Sequence, residues 1–190
     1  MQHDIKSALL DSAAVKTLMA VQNTESIEKF ANIIIDALKK GNKVIVCGNG
    51  GSAADAQHFA AEFIVKYKND RRTLPAIALT TNSSVLTAHA NDFSFDTIYE
   101  RQVEALAREG DVFVGISTSG NSQNVLLGLK KAKWLKCRTI ALLGRDGGKT
   151  KGVADLDIIV PSNVTARIQE GQMCLLHIVC QLVDKHIFGV

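Results

Sequence analysis

Lys43-Val44-Ile45-Val46-Cys47-Gly48-Asn49-Gly50-Gly51-Ser52 is the stretch that decides the fold. A short, β-branched apolar run that stops at a glycine-rich turn and opens a helix at Ala53 reads as a buried strand feeding a βα unit. The same pattern returns along the chain. Runs from Ala76 to Thr80, Asp111 to Ile116, Thr139 to Leu143 and Asp157 to Val160 alternate with helix-length segments. Strands separated by helices imply a parallel sheet covered on both faces, so the expected fold is α/β, a doubly wound five-stranded parallel sheet flanked by helices. Upstream, Ile5, Leu9, Leu10 and Ala13 and then Ile27, Phe30, Ala31, Ile34 and Leu38 recur at helical spacing, and Gly41 stops the second helix. Downstream, Ile168, Met173, Leu176, Val179 and Val183 mark a long C-terminal helix from Thr165 to Phe188. No repeat or linker interrupts the chain, so residues 1–190 are expected to be one domain, with 1–41 a helical extension packed on it.

Composition narrows the function. With 22 basic against 19 acidic residues the net charge is +3, and the basic residues are scattered apart from pairs such as Lys39-Lys40, Arg71-Arg72 and Lys130-Lys131. That field is too weak to call for nucleic acid. No apolar run approaches the roughly 18 residues of a membrane span, and the start carries Asp4 and no apolar block, so a cytoplasmic protein with no membrane partner is expected. Cys47, Cys137, Cys174 and Cys180 form no C-x-x-C pair and read as small core residues. Cys174 stands three residues before His177, but no strand-to-helix elbow presents it as a nucleophile.

In a doubly wound sheet the ligand crevice lies beyond the carboxyl ends of the strands. The first loop there, Gly48 to Ser52, offers main-chain N–H groups at a helix start, a setting suited to an anion. It also matches a dinucleotide fingerprint, Gly48-x-Gly50-x-x-Ala53, yet the second strand ends at Leu79-Thr80 without the acid that would hold a ribose. No Gly-Lys-Ser/Thr closes this loop as in a phosphate-cradling P-loop. A nucleotide cofactor is therefore not expected. The second loop, Ser117-Thr118-Ser119-Gly120-Asn121-Ser122, puts four hydroxyls and a glycine before another helix, which suits a phosphate monoester. Ser122 alone would read as a helix cap. Together the two loops point to one phosphorylated, hydroxyl-rich ligand. Nearby helices carry His58 and Glu62, one turn apart, and Gln169, Glu170 and His177. A carboxylate and an imidazole are the pair needed to move protons on a polyol.

Beyond these readings, Cys47 to Ser52, Asp55 to Glu62, Ala90 to Phe93, Gly115 to Ser122 and Ala166 to Glu170 together resemble the phosphoheptose isomerases, which are SIS (sugar isomerase) domain proteins. The resemblance spans nearly the whole chain in order. It implies conversion of sedoheptulose 7-phosphate to D-glycero-D-manno-heptose 7-phosphate for lipopolysaccharide or other surface glycans. It assigns substrate binding to Asn49, Gly50, Gly51, Ser52, Glu62, Asn91, Asp92, Ser117, Thr118, Ser119, Ser122 and Gln169, and acid/base work to Glu62 and His177. It also implies one zinc per subunit at His58, Glu62, Gln169 and His177, and a homotetramer with active sites between subunits. On a regular helix Gln169 and His177 would stand about 12 Å apart along the axis and about 80° around it, so the zinc should be held most firmly by His58 and Glu62. The chain departs from the family pattern at Phe63-Ile64-Val65-Lys66, where an arginine is usual, and at Gly171-Gln172, where a histidine usually stands second. A non-catalytic SIS protein that binds sugar phosphate or a replication initiator is the alternative. Such a relative lacks the groups that fall here at Glu62 and His177.

Overall fold

The computed structural model describes residues 1–189. Its centre is a sheet of five parallel strands, β1 (Val44–Gly48), β2 (Ala76–Ala78), β3 (Val112–Ser117), β4 (Arg138–Gly144) and β5 (Leu156–Val160), in the order β2-β1-β3-β4-β5. Because side chains alternate across a strand, each strand feeds two cores. Val44, Val46, Val112, Val114, Ile116, Ile140, Leu142, Ile158 and Val160 face one side. Ile45, Cys47, Phe113, Ala141 and Leu143 face the other. The first core is covered by α2 (Thr24–Lys39), α3 (Gly51–Ile64), α7 (Thr165–Phe188) and the end of α1 (Gln2–Gln22). The second lies under α5 (Ile98–Leu106) and α6 (Gln123–Trp134). No described helix is long and apolar enough to cross a membrane.

The five strands, the parallel sheet and the closing helix follow the sequence reading, with two corrections. The second strand ends at Ala78 rather than Thr80. Leu79 still donates to the Val46 carbonyl at 2.9 Å, but Thr80 and Thr81 turn, with the Thr81 hydroxyl donating to the Ala78 carbonyl at 3.2 Å. The third helix starts at Gly51 rather than Ala53, because Gly50 takes φ +56°, a conformation that only glycine adopts without strain.

Helix α1 is joined to the rest through Val15 and Met19, its only buried residues. Arg167 of α7 donates to the Ala8 carbonyl on its flank. Ile5, Leu9 and Leu10, the residues that define its apolar face in the sequence, are more than half exposed, at 56%, 67% and 59%.

The order β2-β1-β3 makes the β1/β3 boundary a switch point, where successive crossovers leave in opposite directions and a crevice opens at the strand ends. Gly48 of β1 pairs with Ile116 of β3. The glycine loop and the hydroxyl loop, about seventy residues apart in sequence, are thereby neighbours.

Candidate active site

Two networks hold these loops. At the β1 end the Tyr99 hydroxyl donates to the Gly48 carbonyl at 2.5 Å and to Asn49 Oδ1 at 3.2 Å. Asn49 Nδ2 donates to Asn124 Oδ1 at 2.8 Å, and Asn124 Nδ2 returns a bond to Asn49 Oδ1 at 3.1 Å. Both ends of the Asn49 amide are thus engaged, and its carbonyl accepts from the Ser52 N–H at 3.0 Å. At the β3 end Ser117 donates to Ser122 across the loop at 3.0 Å, so Ser122 occupies the cap position of α6 without capping it. Ser119 Oγ accepts from Asn121 N at 3.2 Å. Thr150, fully buried, donates to the Gly120 carbonyl through its N–H at 2.9 Å and its hydroxyl at 2.7 Å. Gly120 has φ +65°, and a side chain there would collide with the Gly147 carbonyl.

Sequence reasoning singled out none of Tyr99, Asn124 and Thr150 as site residues. Gly148-Lys149-Thr150 is itself the triplet that ends a phosphate-cradling loop, a signal the reading of the first loop passed over. Here it is a short 3₁₀ turn after β4 whose threonine is spent on supporting Gly120.

His58 and Glu62 stand on α3, and Gln169 and His177 on α7, which packs against it. Gln169 lies against Gly51, the first residue of α3, and any side chain at position 51 would strike its amide. Two turns further along α3, His58 Nε2 is 2.8 Å from Glu62 Oε1 and 3.4 Å from His177 Nε2. The donor atoms of His58, Glu62 and His177 all lie within 4.8 Å of one another. The two imidazoles meet edge to face at 5.0 Å, and Tyr67 packs on His177 with ring centroids 5.8 Å apart. Glu62 is 17% exposed and His58 47%, so the cluster is open on one side. One turn before His58, Asp55 has a buried carboxylate oxygen with no protein partner among the described residues. Burial pushes its carboxyl above the usual range, and the neighbouring His58 works against that shift.

Helix α7 is continuous through Gly171, which lets it pass close to Val160 and Met19. Gln172, the residue that replaces the usual histidine, is fully buried and donates to the Leu142 carbonyl at 3.1 Å. Lys66, at the other departure, is exposed and pairs with Asp70. Asn91 and Asp92 end α4 (Ser83–Asp92), a helix without a buried residue, and bond to each other at 2.8 Å. The chain brings together the two loops and the His58, Glu62 and His177 group. It leaves Asn91 and Asp92 exposed on a helix of their own. Burial raises the thiol pKa values of Cys47 and Cys180, with the nearby Glu62 carboxylate adding to the rise at Cys180, and lifts that of Cys137 to about 11.

Two glycine- and hydroxyl-rich loops suited to an anion thus meet at a switch point, near a carboxylate and two imidazoles able to move protons. The SIS domain pattern matches residues 11–144. A phosphoheptose isomerase of Citrifermentans bemidjiense is 55% identical over 185 residues, covering 97% of this chain and 96% of that one. Among solved structures, the phosphoheptose isomerase of Neisseria gonorrhoeae superposes with a TM-score of 0.91 at 43% identity, covering 97% of this chain and 98% of that one. That of Francisella tularensis gives 0.94 at 35% identity, with the same coverage. The chain belongs to the phosphoheptose isomerases of the SIS domain family.

Proposed function

We propose that this enzyme interconverts sedoheptulose 7-phosphate and D-glycero-D-manno-heptose 7-phosphate through an enediol, with Glu62 and His177 as the working pair. The observation that carries this reading is the meeting of Glu62, His58 and His177 beside two phosphate-suited loops. From the ketose, Glu62 removes the proton on C1 while His177 takes the O1 proton and delivers one to O2. Return of the proton to C2 completes the aldose, with no net gain or loss of atoms or electrons. Ser117, Thr118, Ser119 and Ser122 hold the phosphate. The turn at Asn49, Gly50 and Gly51, together with Ser52 and Gln169, holds the sugar.

Two imidazoles and a carboxylate are a donor set that suits zinc, and their mutual spacing lets one ion touch all three. His58, Glu62 and His177 would hold it, and as a Lewis acid it would polarise the substrate oxygens. Gln169, the fourth ligand of the family pattern, stands against Gly51, about two turns away along α3 and α7, so its loss should cost the least affinity. Exposed Ile5, Leu9 and Leu10 on α1, and an apolar cleft of about 410 Å³ between α1, α2 and α7 that exposed Ile178 helps to line, support a homotetramer that covers them. A monomeric mass by light scattering at micromolar concentration would count against that assembly. The product would feed lipopolysaccharide or another surface glycan from the cytoplasm. Incubation with five-, six- and seven-carbon ketose phosphates, following aldose formation, tests the activity: turnover should favour the seven-carbon substrate, and its absence for all three overturns the reading in favour of a binding module.

A further inference from the structure

A charged pair with no part in the proton transfers lies at the far end of the α3/α7 wall. Arg71, in the segment after α3, donates through Nε to Asp184 Oδ1 on α7 at 2.7 Å. Its Nη2 donates to the Glu62 carbonyl at 2.7 Å, and its Nη1 to the Phe63 carbonyl at 2.9 Å and the Arg72 carbonyl at 3.1 Å. The two side chains are 3% and 5% exposed. The last carbonyls of a helix have no intrahelical donor, and a planar guanidinium can serve several acceptors in fixed directions where an ammonium cannot. Asp184 follows His177 by seven residues, about two turns, so it projects from the same side of α7. One guanidinium therefore grips the main chain of Glu62 and a side chain on the helix face that carries His177.

We propose that the buried Arg71–Asp184 pair is a positioning device, which sets the spacing and rotation of α7 against α3 and so holds His177 against Glu62 and His58. This rests on the acid/base reading of Glu62 and His177. Two further features favour positioning over bulk stability. Asp184 Oδ2 is buried without a partner among the described residues, an arrangement that costs stability and that an apolar pair of similar volume would avoid. The same segment places Tyr67 on the His177 ring and Arg71 over the Phe188 ring at 5.5 Å, so it contacts α7 on either side of Asp184. Misplacing reacting groups by about 1 Å can cost about a hundredfold in rate, and so small a shift is what loss of this grip would produce.

The test is the double variant Arg71→Met/Asp184→Leu of the full chain, which removes both charges and keeps the volume. It should fold, with a melting temperature near that of the wild type, and keep KM within about twofold because the loops are untouched. Its kcat should fall by at least about tenfold, and the His177-to-Glu62 spacing in its crystal structure should change. Wild-type kcat, or an unchanged spacing, in the folded double variant overturns the proposal. If that variant does not fold, Arg71→Lys decides. It keeps the charge pair but cannot reach the carbonyls, so kcat should fall with KM held; wild-type kcat there also overturns it. A wild-type enzyme without isomerase activity would defeat the proposed function instead, and the spacing measurement would still decide the positioning claim.

Discussion

Around the ends of β1 and β3, shape is held by neutral groups bonding to their immediate surroundings: Tyr99 to Gly48 and Asn49, Asn49 to Asn124, Ser117 to Ser122, and Thr150 to Gly120. Along α3 and α7 the important groups are ionisable, partly open to solvent, and brought together from 119 residues apart, with one buried ion pair at the far end. On the proposed function the loops bind the phosphate through main-chain amides and hydroxyls at the strand ends, and need only keep their turns to do so. On the same reading the wall does chemistry only when two separate helices hold a mutual position to a fraction of an ångström. Damage to the loops should therefore appear mainly in binding, and damage to the wall in turnover.

The sharpest way to break this contrast is Glu62→Gln. The amide keeps the shape and loses the base, so turnover should fall by about 10²–10⁴ while calorimetry still shows phosphosugar binding. A variant retaining most of the wild-type rate would remove Glu62 from the mechanism. Next in size is the metal. Chelation should lower activity and zinc should restore it, with metal content per subunit falling most in His58→Ala and least in Gln169→Ala by elemental analysis. Full activity at well under one equivalent of bound metal would leave Glu62 and His177 working alone.

On the loop side, Ser119→Ala should raise KM more than it lowers kcat, as expected for uniform binding of a phosphate that does not react. A large kcat effect at unchanged KM would erase the distinction between loop and wall. The smallest effect is expected for Tyr99→Phe. It removes one hydroxyl from the loop support, costing about 1 kcal/mol, or roughly 2–4 °C in melting temperature for a chain of this size. A collapse of kcat in that variant would mean that the loop network also positions the wall.

Much of the loop region was legible because its signals are short in range. The glycines of Gly48 to Ser52 and the hydroxyls of Ser117 to Ser122 sit beside their strands in the chain, and each stretch carries its own turn chemistry. The supports were harder to read, since Tyr99, Asn124 and Thr150 look like ordinary helix or loop residues until the sheet brings them to the loops. The apolar face of α1 misled for a related reason. Periodicity shows that a helix has an apolar side, but not what lies against it, and here only Val15 and Met19 of α1 are buried.

By itself, the sequence determined the five strands, the helical cover on both faces, the glycine-rich and hydroxyl-rich turns after β1 and β3, and the helix from Thr165 to Phe188. Periodicity and turn preference act over a few residues, and each of these elements carries its own. Only the tertiary structure decided the strand order β2-β1-β3-β4-β5 that makes the two loops neighbours, the meeting of His177 with His58 and Glu62, and the Arg71 bridge to Asp184. Those contacts close loops of about seventy to more than a hundred residues. Such contacts become favourable only once the intervening chain has packed its core, so no local stretch of sequence encodes them.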